Sequence, residues 1–256
     1  MLSEEQKDNL IEQLDSLFHH NPLFYLKFTK ENKYADDLVN GVFYSHSPEY
    51  FRALETETGE RGQGDKNELK SVIQAYNIQF IGNESDDFNF TLPEAKVTFH
   101  FKSDDTTPLI CFVGFTVKDL KIISIDESQV EFGIPYTNEE LAEMKEKFGE
   151  YCVLFEAGKL VQMIEDYSLN NNIAYELKKI TYCHQNTKER LEAFAKGSVE
   201  RFYYKDEDLA YQKEYRLIFD MKIPKDNKIK IGLFENNVRK MRYSELSNFT
   251  MVISYT

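Results

Sequence analysis

The sequence predicts an α+β fold: a single domain with a mixed or largely antiparallel sheet and irregularly inserted helices. Alternating apolar segments outnumber helical ones, and helices do not follow every strand as a doubly wound parallel sheet would require. No repeat, low-complexity tract or long linker divides the 256 residues, a length ample for one core.

The elements follow in order. Ser3 and Gln6 make a capping-box pattern ahead of Leu10, Ile11, Leu14, Leu17 and Phe18. Residues 1–20 therefore hold an N-terminal helix ending near "HHNP", and 22–256 form the core. In "LFYLKFT", Phe24, Leu26 and Phe28 point one way and Tyr25, Lys27 and Thr29 the other. Tyr34, Ala35, Leu38 and Val39 repeat at helical spacing until Asn40-Gly41 stops them, and "GVFYSHS" is a second strand. "SPEYFRALE" forms a helical turn that puts Arg52 and Glu55 on one face, and residues 56–70 are a polar, Gly-rich loop. Strands are expected near 77–81, 88–92, 96–102, 109–117 and 119–126; "KVTFHF" sets Val97, Phe99 and Phe101 against Thr98, His100 and Lys102. Thr137 and Glu140 open a helix through Leu141, Met144 and Phe148. "YCVLFE" is a buried strand, 158–168 a short helix and "ELKKITYC" another strand. A longer helix near 186–203 carries Leu191, Phe194, Ala195, Val199 and Phe202. In "YQKEYRLIFD" the apolar face is Tyr215, Leu217 and Phe219, the opposite face is Glu214 and Arg216, and Lys213 falls at the strand's end. "SELSNFTMVISYT" closes the chain.

Composition narrows the function classes. With 20 Phe and 16 Tyr the chain is globular rather than disordered. A net charge of -13 repels phosphate backbones, so extensive nucleic-acid binding is not expected, although a local basic groove stays open. Such a chain can also mimic nucleic acid and engage a basic partner. Cys111, Cys152 and Cys183 sit in apolar or strand-like runs without CxxC spacing, as reduced thiols of a cytoplasmic protein do. "MLSEEQKDNL" is too polar for a secretory signal, and no apolar run reaches the roughly 20 residues of a membrane helix. The expectation is a cytoplasmic protein with no membrane association.

Phosphate-loop, dinucleotide-fingerprint and HExxH patterns are absent, and the five histidines lack ligand spacing, so no metal is expected. His19 and His20 end a helix; Cys183 and His184, neighbours on a strand, point to opposite faces. The chemistry-bearing constellation is spread along the chain: Arg52 with Glu55, then Arg61, Asp65 and Glu68 in the loop, then Glu214 and Arg216. The charged face of the late strand looks into a cleft or at solvent, and Glu214 with Arg216 is either a catalytic carboxylate with its partner or a structural ion pair.

The motif order "FYLKFT", "GVFYSHSPEYFRALE", "RGQGD", "PLICFVGFT", "FGEYCVLFEAGKL", "ELKKITYC" and "KEYRLIF" resembles an uncharacterised bacterial domain family associated with abortive infection and antiphage defence. The likeness runs from residue 22 to near 245. The acidic loop of that family is expanded here to "RGQGDKNE", and Tyr211 stands where an aromatic precedes the late strand. The layout is also similar to ADP-ribosyltransferases, with an early basic or polar strand residue, a middle aromatic/Ser strand and a late strand bearing a catalytic Glu. No position reproduces the full Arg-Ser-Glu or His-Tyr-Glu set.

The resemblance implies a defence effector that consumes NAD or another nucleotide. Glu214, Arg216 and Arg52 are then the candidate catalytic set, and Lys27, Thr29, Tyr44, Ser45, Arg61, Asp65 and Glu68 the candidate substrate-binding set. A carboxylate such as Glu214 would stabilise the oxocarbenium-like centre formed when the nicotinamide–ribose bond breaks. The second reading is a non-enzymatic acidic sensor or inhibitor that binds a phage or host protein.

Overall fold

The first helix begins as its capping box dictates: Gln6 N donates to Ser3 Oγ at 3.3 Å and Ser3 N to Gln6 Oε1 at 2.8 Å. The computed structural model describes residues 3–81, 89–126, 128–234 and 236–255. In it α1 (Glu4–Leu17) ends where His19 and His20 both take positive φ. β1 (Phe24–Thr29), α2 (Asn32–Val39), β2 (Val42–Tyr44) and α3 (Pro48–Thr58) follow, the last capped by Ser47 with Pro48 in its first turn.

β3 (Ser71–Ile81) and β4 (Asn89–Phe99) form one long antiparallel hairpin, where shorter strands were expected. Residue 88 of the expected 88–92 strand lies outside the described residues, and His100 and Phe101 fall beyond β4. Next come β5 (Leu109–Phe115), β6 (Lys121–Ile125), β7 (Gln129–Gly133), α4 (Asn138–Phe148), β8 (Tyr151–Glu156) and α5 (Ala157–Asn171). Thr137 caps α4 with Glu140 as its spacing requires.

"ELKKITYC" is not one strand but two, β9 (Tyr175–Lys179) and β10 (Thr181–Tyr182), which join different sheets. The expected helix near 186–203 breaks after α6 (Lys188–Ala195), because Gly197 adopts φ 62 and a 3-10 turn, Val199–Tyr203, takes over. The chain continues through β11 (Tyr204–Lys205), β12 (Glu214–Phe219), β13 (Lys228–Lys230), β14 (Val238–Arg242), α7 (Tyr243–Leu246) and β15 (Thr250–Ser254). Thr256, in the closing segment, lies outside the described residues.

The fold is α+β, with largely antiparallel sheets and helices inserted irregularly. The chain divides into two compact units: Met1–His46 with Thr107–Lys179 and Tyr211–Thr256, and Ser47–Thr106 with Ile180–Ala210. In the first, a six-stranded sheet runs in the order β14-β8-β1-β5-β12-β9, every pair antiparallel.

One face of this sheet (Tyr25, Phe112, Val153, Phe155, Leu217, Phe219) packs with Ala35 and Leu38 of α2 and Leu160 and Ile164 of α5. The other (Phe24, Leu26, Val113, Phe115, Cys152) packs with Leu14 of α1, Leu141 and Met144 of α4, and Val130 and Phe132 of the small sheet β15-β7-β6. Each buried side chain of this size stabilises the fold by about 1.5–3 kcal/mol. Tyr215, Leu217 and Phe219 pack into the first of these faces, and Glu214, Arg216 and Ile218 on the other side of β12 are buried too, so the charged side of the strand does not look at solvent.

The second unit holds α3, the β3–β4 hairpin, α6 and the parallel pair β10–β11. Its interior is unusually charged: Arg52, Glu55, Asp65, Glu68, Asp104, Arg190 and Lys205 are all buried. No helix among the described residues is long and apolar enough to cross a membrane. The three cysteines are free thiols.

Candidate functional site

The alternation of β12 sets Glu214 and Arg216 on one face, and the two side chains close on each other. Arg216 Nε donates to Glu214 Oε1 at 3.0 Å, with Nη2 2.9 Å from the same oxygen. Glu214 is 4% exposed and Arg216 1%. A buried pair of this kind is held less by its own attraction than by the cost of leaving either charge alone.

The register places Glu214 beside Val113 and Arg216 beside Cys111 of β5. On the far side of β5, β1 pairs only from Phe24↔Phe115 to Leu26↔Val113. Beyond that point Lys27 Nζ donates to the Cys111 carbonyl at 2.8 Å, and further along His46 bridges Leu109 through two backbone hydrogen bonds. The central strand β5 is thus lined on one edge by β12 and on the other by β1, the Lys27 ammonium and His46.

The electrostatics agree with that placement. Burial pulls the Lys27 pKa below its ordinary value, while Cys111 and Glu214 draw it back. Burial, and then the Lys27 charge, hold the His46 imidazole down to about 4, so it is neutral near pH 7. Lys27 and Glu214 therefore act on each other across β5, although the alternation of β1 and β12 sets Lys27 on the Phe112 face of the sheet and Glu214 on the Val113 face.

Thr29, Tyr44 and Ser45 belong to the same unit but do other work. Thr29 Oγ1 donates to the Glu31 carbonyl at the end of β1. Tyr44 gives its hydroxyl proton to Asp37 at 2.6 Å and stacks edge-on against Tyr34. Ser45, fully buried, donates to the Asn227 carbonyl at 3.4 Å. The described contacts of these three residues tie loops and strand ends together.

Arg52, Arg61, Asp65 and Glu68 lie in the second unit. Arg52 does not pair with Glu55, although the two share a helical face. Its guanidinium donates to the Glu68 carbonyl at 2.9 Å and to Asp105, while Glu55 accepts from Lys66 N at 2.7 Å. The acidic loop is therefore folded back onto α3. Gly64 makes that approach possible, since a Cβ there would lie 2.4 Å from the Glu55 backbone nitrogen.

Asp65 is buried beside Glu68, and burial followed by the Glu68 charge pushes its pKa up to about 6, against the pull of Lys205. Arg61 reaches Asp206 at 2.8 Å and Asp208 at 2.9 Å.

Asp206 was not legible as a site residue, yet it organises this unit. It accepts from Arg61, from Arg190 at 3.0 Å, from Gln185 and from Asn67. These donors hold its pKa down against burial. Arg201 and Asp104 form a second, two-pronged pair at 2.7 and 2.6 Å. No sequence signal couples Arg61 to Asp206, 145 positions away, or Arg201 to Asp104, 97 away, so only the fold reveals these partners. Among the described residues no group of three or more His, Cys, Asp or Glu is arranged to hold a metal ion.

No family model, curated protein or solved structure matches this chain.

Proposed function

We propose that the chain is an antiphage-defence (abortive-infection) effector that handles NAD or a related nucleotide at the Lys27–Glu214 cluster of the six-stranded sheet. The observation that carries the reading is that an early-strand lysine and a late-strand glutamate flank the same central strand within electrostatic reach. In an ADP-ribosyltransferase-like reaction, Glu214 would stabilise the positive charge that develops on the ribose as the nicotinamide bond breaks. Arg216 would fix the carboxylate's orientation, and Lys27 would hold the diphosphate.

The test is release of nicotinamide from NAD by the purified chain. Wild-type protein should release it, and Glu214→Gln should lose at least about 100-fold in rate. Lys27→Met, which leaves the Glu214–Arg216 pair in place, should raise KM for NAD. A folded wild-type chain that neither binds nor cleaves NAD overturns the proposal.

That outcome would favour the second reading, a non-enzymatic acidic sensor or inhibitor of a phage or host protein. Its support is the double engagement of one Glu214 oxygen by Arg216, a geometry suited to a structural pair, together with the net charge of -13.

A further inference from the structure

The proposed chemistry leaves the β3–β4 hairpin of the second unit without a role. Its strands are 11 residues each, so the hairpin is about 37 Å long. Among the described residues neither strand pairs with a third. At the root of one face Phe99 meets Phe194 of α6 edge-on, with ring centres 5.9 Å apart. Farther out Tyr76, Leu92 and Val97 stand 66%, 37% and 46% exposed. A hairpin of two strands is marginal in water by itself, whereas a sheet of three or more strands holds.

The two outer edges differ in what guards them. β4, "NFTLPEAKVTF", carries Pro93, Glu94 and Lys96. A proline without a donor, with charges close by, is how natural sheets block pairing at an edge. β3, "SVIQAYNIQFI", has neither a charge nor a proline, in a chain of which 29% is charged. Its ladder groups on the side away from β4 are therefore open to another strand. Asn77 takes φ 52 and interrupts the pleat, which leaves residues 71–76 as the regular stretch.

Charge selects the occupant. A basic partner of a chain with net charge -13 is drawn to acidic surface, and the β3 edge offers none. Two copies of so acidic a chain repel each other except across an uncharged stretch, and β3 is such a stretch. It is also complementary to itself. With a two-fold axis at Gln74, antiparallel pairing sets Val72 against Tyr76 of the second copy and Ile73 against its Ala75. A β-branched side chain opposite an aromatic one is a favourable cross-strand pair. Glu84, Asp86 and Asp87, between the two strands in sequence, go to opposite ends of this arrangement, whereas parallel pairing would set them side by side.

We propose that β3 is a dimerisation strand: two copies of the chain pair edge to edge through β3, antiparallel about a two-fold axis, into one sheet in the order β4-β3-β3-β4. The contact is isologous, so the same edge serves both copies and association stops at two. Pairing converts two marginal hairpins into one four-stranded sheet and takes the exposed Tyr76 out of water.

The test is sedimentation equilibrium of the full chain. Wild type should have twice the mass of one chain at micromolar concentration, and should dimerise more tightly in high salt, where repulsion between the acidic bodies is screened. Tyr76→Lys sets a like charge on both sides of the edge, at a position already exposed to solvent. It should weaken the dimer by at least about tenfold while the circular dichroism spectrum stays that of the folded chain. Val97→Lys, an exposed position on β4, should leave the dimer intact. A wild-type chain that stays monomeric up to its solubility limit overturns the proposal. So does a dimer that survives Tyr76→Lys, or one that Val97→Lys weakens as much.

Discussion

At the scale of single residues, the Glu214–Arg216 pair is the most exacting feature of the first unit. Two ions buried next to each other gain little over an apolar pair of the same volume, but removing one leaves the other charge stranded. Arg216→Ala is therefore expected to destabilise the chain by about 3–5 kcal/mol. Replacing both residues with apolar side chains of similar size should restore much of that loss. Urea denaturation of the single and double variants distinguishes the two cases. A single variant within about 0.5 kcal/mol of wild type would show that the pair is not buried as described. This stability effect is separable from the proposed chemistry, since nicotinamide release is measured on folded protein.

At the scale of elements, local rules were legible and long-range pairing was not. Ser3 with Gln6 and Thr137 with Glu140 announce their helices because a capping box is a contact between residues three apart. The two-residue period of "EYRLIF" likewise fixed which side chains share a face of β12. That period could not reveal that both faces are covered, nor that "ELKKITYC" turns from one sheet into another between Lys179 and Thr181. The short strands β13 and β14 escaped because three to five residues of mixed polarity carry too little pattern.

The acidic loop shows the same division. Its residue types marked Arg61, Asp65 and Glu68 as a group, but its packing onto α3 needed Gly64 to pass within contact distance of Glu55. Gly64→Ala should cost about 1–3 kcal/mol, because the atoms it meets are backbone as well as side chain and cannot simply rotate aside. Thermal unfolding checks this, and an unchanged midpoint would mean that the loop does not rest on the helix.

At the scale of the whole molecule, stability should depend on pH through two groups whose shifts oppose each other. His46 has a folded-state pKa of about 4, below its unfolded value, so its contribution is present near neutrality and is lost as pH falls toward 4. Asp65 is the reverse case. Its folded-state pKa of about 6 lies above its unfolded value, so its contribution is complete below about pH 4 and is lost as pH rises through 6. A shift of this size corresponds to about 3 kcal/mol.

The two slopes partly cancel in the wild-type profile, and comparison with Asp65→Asn isolates one of them, because His46 is common to both proteins. The asparagine keeps an acceptor for the Asn67 amide and cannot ionise. Asp65→Asn should match wild type near pH 4 and become progressively more stable than it, by up to about 3 kcal/mol, as pH rises to about 8. Urea denaturation across that range measures the difference. A gap that stays constant with pH would show that Asp65 ionises as readily as a carboxylate in water, and that the charged interior of the second unit is solvated rather than buried.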